Sequence, residues 1–154
     1  MVQTTNTYPL GCGKIEISPG CNGTWHDISG STTSFEPPEL SQMMGEAYTI
    51  DGMYAISEGG KVEPTEVPFT IVYSETAGEA WDRIADLWEL VSCSHPCCVK
   101  YSPSGGTIGT YQYRFPDSHL ITVTYPNLDA SAGGPIMAGF VLRVTRIVRE
   151  VITS

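Results

Sequence analysis

Cys93, His95, Cys97 and Cys98 fall within the short stretch CSHPCC, which sets three thiols beside an imidazole. Thiolates and a neutral imidazole are zinc ligands, so a metal site is the first chemistry to consider. The spacing departs from the familiar knuckles, which pair one C-x-x-C with another. Here Cys93 and Cys97 are separated by three residues, and Cys97 and Cys98 are adjacent. Neighbouring cysteines fit one tetrahedral ion poorly. Cys12, Cys21 and His26 could complete a ligand set only if the fold brought them to the cluster. The count of five cysteines is odd, and the opening MVQTTNTYPLGCG has neither a basic start nor a long apolar run. The expectation is therefore reduced, partly buried thiols in a cytosolic product, with no metal and no cofactor.

Other catalytic patterns are missing. His26, His95 and His119 sit in unrelated contexts, and no G-x-S-x-G nucleophile elbow occurs. Asp27 follows His26 directly, which puts the two on opposite faces of a strand. SPSGGTIG lacks the Lys-Ser/Thr ending of a phosphate loop and reads as a hairpin turn. Glu63 and Glu66 read as a solvated face. The chain is not expected to be an enzyme. Its net charge of -9 is uneven: residues 1–75 hold ten acidic side chains against Lys14 and Lys61. An acidic protein does not grip a phosphate backbone. Such a surface suits solubility, or a wall that DNA slides past.

The elements that would carry these residues are mainly strands. The 154 residues fit one domain, and Gly 16 with Pro 11 favours β structure with many turns. No apolar run is long enough for a membrane span. Residues 1–13 read as an N-terminal arm. KIEIS and TWHDI alternate and form a hairpin around SPGCNG, and Thr32–Phe35 continues as strand. Residues 36–60 show no sustained period, yet carry Leu40, Met43, Met44, Tyr48, Ile50, Met53 and Tyr54. So apolar a segment either contains short strands or awaits a partner. GGKVEPTEVPFTIVY then reads as one long strand, with Val67, Phe69, Ile71 and Tyr73 on one face and Pro64 and Pro68 unable to donate. A helix over about 77–92 follows, with a capping-box spacing from Thr76 to Glu79 and a stripe of Trp81, Ile84, Trp88 and Val91 covering one face of a sheet. Further strands are expected at CVKYS, TYQYRF, HLITVTYP and from Ile136 to about Val144, then a tail over 145–154. The fold class is a β-sandwich or partly open barrel of seven to nine strands with one flanking helix.

The order of these features resembles the major tail tube proteins of long-tailed bacteriophages. W.DISG, GK.EP.EV.F.I.Y and SP.GG..G carry the resemblance, over about residues 12–145. It implies a structural subunit of the virion tail, assembled in the host cytoplasm. Six copies would form a ring whose inner sheets join around an acidic lumen, and the rings would stack through the long loop and the terminal arms. DNA would pass through unbound. Partners would be the protein itself and the tape measure, tail tip and tail terminator proteins, without membrane insertion. On this reading Val67, Phe69, Ile71 and Tyr73 form the intersubunit strand, and Glu16, Asp27, Glu63 and Glu66 supply the lumen's acid. Arg143, Arg146 and Arg149 form a basic patch for an acidic neighbour. The alternatives are the tube protein of a contractile tail or type VI secretion-like machine, and a monomeric β-sandwich binding module using Tyr111 and Tyr113.

Overall fold

Alternate residues of two neighbouring strands build the core: Val67, Phe69 and Ile71 from one, Ala138, Phe140, Leu142 and Val144 from the other, all buried. The computed structural model describes residues 4, 7–9, 11–90 and 92–154. In chain order the elements are β1 (Lys14–Pro19), β2 (His26–Asp27), β3 (Thr32–Phe35), β4 (Gln42–Ala47), β5 (Ile56–Val62), β6 (Thr65–Val72), α1 (Ala80–Glu89), β7 (Cys97–Ser102), β8 (Tyr111–Phe115), β9 (His119–Thr124), β10 (Met137–Val144) and β11 (Val148–Val151). A five-stranded sheet runs β11-β8-β7-β1-β2 and a four-stranded sheet runs β3-β6-β10-β9. β4 and β5 make a separate two-stranded sheet. Every pairing is antiparallel.

The two larger sheets pack face to face as the expected sandwich. Ile17, Cys97, Val99 and Phe115 from the five-stranded sheet meet the inward residues of β6, β9 and β10 in one hydrophobic cluster. Aromatic rings tie the layers: Phe35 stacks on Phe69 with centroids 4.9 Å apart and meets Tyr101 edge-on at 4.8 Å. Phe69 stacks in turn on Phe140 at 4.6 Å. Each such buried ring contributes about 1.5–3 kcal/mol relative to leaving it in water.

Several expectations change. The tail over 145–154 contains β11, which pairs with β8, and Ile152 behind it is buried. The strand count exceeds seven to nine because β4, β5 and β11 add to it. The stretch from Gly59 to Tyr73 is two strands, since Glu63 and Pro64 separate β5 from β6. TWHDI shrinks to His26–Asp27. The helix is shorter than 77–92 and begins without the capping box. Gly78 adopts a left-handed turn (φ +86) that delays the start, Glu79 becomes the N-cap, and Asp82 Oδ2 accepts the Gly78 N–H at 2.8 Å. The buried helix residues are Ala80, Ile84 and Leu87, with Trp81 and Trp88 packed at the margin of the core. Val91 lies outside the described residues. α1 touches β1 as well as β6 and β9, so it closes a gap between the sheets where covering of one face was expected.

Candidate assembly surface

The opening cluster does not gather as a ligand set. Cys98 is bonded to Cys21, with Cα atoms 5.1 Å apart, which overturns the expectation of reduced thiols throughout. Alternation along β7 explains the choice. Cys98 points outward toward the β1–β2 turn, where Cys21 sits, while Cys97 points inward and is fully buried. Burial pushes the Cys97 thiol up to about 12. Cys12 and Cys93 are exposed and free. Among the described residues no group of three His, Cys, Asp or Glu side chains lies close enough to hold a metal ion. His95 instead packs its ring against Trp88, with centroids 5.1 Å apart.

The long apolar segment 36–60 is where the structure concentrates its unspent surface. Within it and just beyond, β4 and β5 pair from Gln42↔Val62 to Ala47↔Ile56, with an irregularity between Gln42 and Met44. Gln42 Nε2 donates to the Gly60 carbonyl at 2.9 Å, which lays the Gln42 side chain across Gly59. A Cβ at Gly59 would come within 2.7 Å of it, so any larger residue there would displace the Gln42 side chain. The connection is shaped by Thr49 Oγ1 donating to the Asp51 carbonyl at 2.7 Å and by Gly52 at φ +125. Every residue of both strands is exposed. Ile50, Met53 and Tyr54 at the connection stand 108%, 93% and 88% exposed. Leu40, which precedes the hairpin, is half-buried. A lone two-stranded hairpin is marginally stable in water. This one also shows solvent a run of Met, Tyr and Ile that a solitary chain gains nothing by exposing.

β6 is not a free strand. It lies inside the four-stranded sheet, paired with β10 over Thr65–Val72 and with β3 over Phe69–Ile71. Val67, Phe69 and Ile71 are therefore core residues, and their expected intersubunit role is withdrawn. Tyr73 prolongs the ladder by donating to the Ile136 carbonyl at 2.9 Å. The prolines find their place in this geometry. Val72 N–H donates toward β3, to the Ser31 carbonyl. By alternation Pro68 faces the same way, beyond the last paired residue of β3, so its missing donor costs the β10 ladder nothing.

The edges of the two sheets differ. The five-stranded sheet ends in the two-residue β2 and in β11, which carries Arg149 and Glu150. The four-stranded sheet ends in β3, TTSF, and β9, HLITVT, neither with a lysine, arginine, acid or proline. Such uncharged edges lack the usual protection against pairing with another chain. The start of β9 is covered, since Leu120 donates to the His95 carbonyl at 2.7 Å. Among the described residues Val123 has no backbone partner on the outer side.

The expected acidic wall is not one wall. Glu16 and Asp27 are register partners on the outer face of the five-stranded sheet. Glu16 is held by Lys14 at 3.0 Å and Lys100 at 3.1 Å, and it keeps the Lys14 ammonium above its ordinary range. At Asp27 burial works against ionisation. Hydrogen bonds from the Ser29 hydroxyl and N–H, with the nearby Lys14 charge, outweigh it and hold the carboxyl below its usual range. Glu66 lies on the other sheet, opposite Arg143 in register, and Glu63 is exposed beside the hairpin. The basic residues also separate. Arg143 is on β10, Arg146 pairs with Asp117 at 2.8 Å, and Arg149 lies over the Tyr111 ring at 4.7 Å.

No family model and no curated protein matches the sequence. Similarity appears in solved structures. A chain of the PVC sheath-tube complex, an extracellular contractile injection system in its extended state, superposes with a TM-score of 0.71 at 14% identity, over 97% of this chain and 95% of the other. A chain of the PVC sheath/tube terminator gives 0.69 at 14%, over 97% and 100%. A chain of the anti-feeding prophage tube terminating cap gives 0.71 at 10%, over 98% and 95%. At these identities what is shared is the fold, along nearly the whole length.

Proposed function

We propose that this protein is a structural subunit of a tail-like tube, polymerising with copies of itself, and not an enzyme. The observation that carries the reading is the fully exposed β4–β5 hairpin on an otherwise well-cored sandwich. The likeness to chains from tube, terminator and cap assemblies supports it. The PVC assemblies belong to an extracellular contractile injection system, which favours a contractile-type tube over the tube of a long, non-contractile phage tail. Sheath, terminator and baseplate proteins are then the partners to expect. Tape measure and tip proteins follow if the tail is a phage tail that delivers DNA.

The same reading gives the four-stranded sheet a task. β3 runs antiparallel to β6, and β9 antiparallel to β10, so the two edges run in opposite directions. Placing β9 of one copy beside β3 of the next continues an antiparallel sheet with every copy in the same orientation. A ring closed this way turns the outer face of that sheet to the lumen. That face carries Ser34, Thr70, Thr122 and Thr124, with Glu66 matched to Arg143. The lumen is then lined by hydroxyls interleaved with Pro68, Val72 and Val141 and is close to neutral, with Glu16 and Asp27 outside it. Electron microscopy of the purified protein, with sizing chromatography over a range of concentrations, tests the function. Hollow tubes or rings are expected. A chain that stays monomeric at every concentration refutes it.

A further inference from the structure

We propose that the groove between Tyr8, Pro103, Tyr111 and Tyr113 receives the β4–β5 hairpin of a second copy of this chain. This rests on the tube reading above and names the receiving surface, which that reading leaves open. The groove is a pocket of about 330 Å³ beside the turn that joins β7 to β8. It is built before any partner arrives. Tyr113 stacks on Tyr101 with centroids 5.3 Å apart, and Tyr111 lies beneath the Arg149 guanidinium. The rim is fixed where Ser104 and Thr110 share a hydrogen bond and Gly109 N–H donates to the Ile152 carbonyl at 2.8 Å. Tyr8 and Tyr111 are 59% and 49% exposed, an aromatic surface with nothing laid over it among the described residues.

The hairpin matches this surface in three respects. Its Met43, Met44 and Met53 bring thioethers to a pocket walled by tyrosine rings, a favourable contact for both. Its Glu46, Asp51 and Glu58, opposed only by Lys61, suit a groove beside which Arg149 lies, over the Tyr111 ring. Of the two larger grooves, the one lined by residues 127–137 contains Asp129 and repels the same hairpin, and the one between Ile15, Phe35 and Tyr101 has a lysine, Lys14, already engaged by Glu16 at 3.0 Å. Its exposed Met, Tyr and Ile side chains present roughly 800 Å² at 150 Å² or so apiece, what one partner contributes to a stable interface. The hairpin cannot be seated in its own chain's groove, because every residue of both its strands is exposed. Hairpin and groove are different surfaces, so the contact is heterologous and can be repeated from copy to copy.

The test places a photo-reactive phenylalanine analogue at position 54 of the full chain and maps cross-links by mass spectrometry. Cross-links between copies to residues 103–113 support the proposal. Cross-links between copies confined to other segments, the 127–137 loop included, overturn it while leaving the tube intact. No association between copies at any concentration overturns the tube reading and the proposal together. Charge reversal gives an independent readout. Arg149→Glu should raise the concentration needed for assembly about tenfold, a usual penalty for opposing like charges at an interface. Adding Asp51→Lys and Glu58→Lys to the same chain should recover most of that loss. A reversal that assembles as well as the parent chain, or a loss the second pair leaves untouched, counts against the groove.

Discussion

Cutting the Cys21–Cys98 bridge with Cys21→Ser should lower stability by about 3 kcal/mol, close to the middle of the range for native disulfides. The magnitude follows from the position of the bond. It joins residues 77 apart, so an intact bridge removes much of the freedom of the unfolded chain. Loop-closure entropy over that separation amounts to about 4.5 kcal/mol at room temperature. Against this stands the backbone of Cys21, held at φ +53 in the left-handed region. Releasing the turn recovers about 1–2 kcal/mol for an L-residue. Cys21 is exposed, so its replacement removes little packing besides the bond.

The measurement is thermal unfolding of parent and variant, each with and without a strong reductant. For a chain of this size 1 kcal/mol moves the midpoint by about 2–4 °C, so the parent should lie about 6–12 °C higher when oxidised. The reductant should abolish that gap and leave the variant unmoved. Thiol counting on the denatured, unreduced parent should find three free cysteines out of five. Five titratable thiols, or a midpoint indifferent to the reductant, would refute the reasoning.

Val123→Pro removes a donor that points away from β10, so the isolated subunit should keep its circular dichroism spectrum while assembly, followed by sedimentation, is lost. Gly139→Val brings a Cβ within 2.9 Å of the Phe69 carbonyl, so β6 and β10 must part; unfolding in urea should show a loss of about 1–3 kcal/mol. Cys97, raised to about 12 by burial, should resist iodoacetamide near neutral pH in the folded chain while Cys12 and Cys93 react. The folded pKa of Asp27 lies below its unfolded value of 3.8, so its contribution is present above that value and lost as pH falls through the folded pKa. The stability advantage of the parent over Asp27→Asn, read from unfolding midpoints, should therefore shrink on acidification.

The sandwich was legible because alternation is a local signal. β1, β6 and β10 show it plainly, and Val67, Phe69 and Ile71, read as sharing one face, are buried together. The hairpin in 36–60 was half legible. Its apolar content demanded either strands or a partner, but GEA and EGG break the alternation, and only pairing reveals the strands. Sheet order was not legible at all. Pro68 argued for an edge strand, yet β6 lies inside the sheet because β3 stops at Phe35 and leaves the proline's side unpaired. The disulfide escaped for a related reason. Cys21 and Cys98 meet only because β1 and β7 align Pro19 with Cys97 and Ser18 with Cys98, a register no spacing rule contains.

The acid in the first half of the chain acquires a different meaning once it is placed. Of the ten acidic residues up to position 75, six lie from Glu36 to Glu63, on the hairpin and the segments that flank it. On the sandwich proper Glu16 is held by two lysines, and Glu66 lies opposite Arg143 in register. The excess negative charge therefore projects from the fold together with the exposed methionines and tyrosines. A protruding arm that is both apolar and acidic resists collapse onto its own acidic body, and it associates where apolar surface and a cation coincide. On the proposed tube reading, the acid that net charge alone would assign to a channel wall falls instead on the hairpin proposed to join one copy to the next.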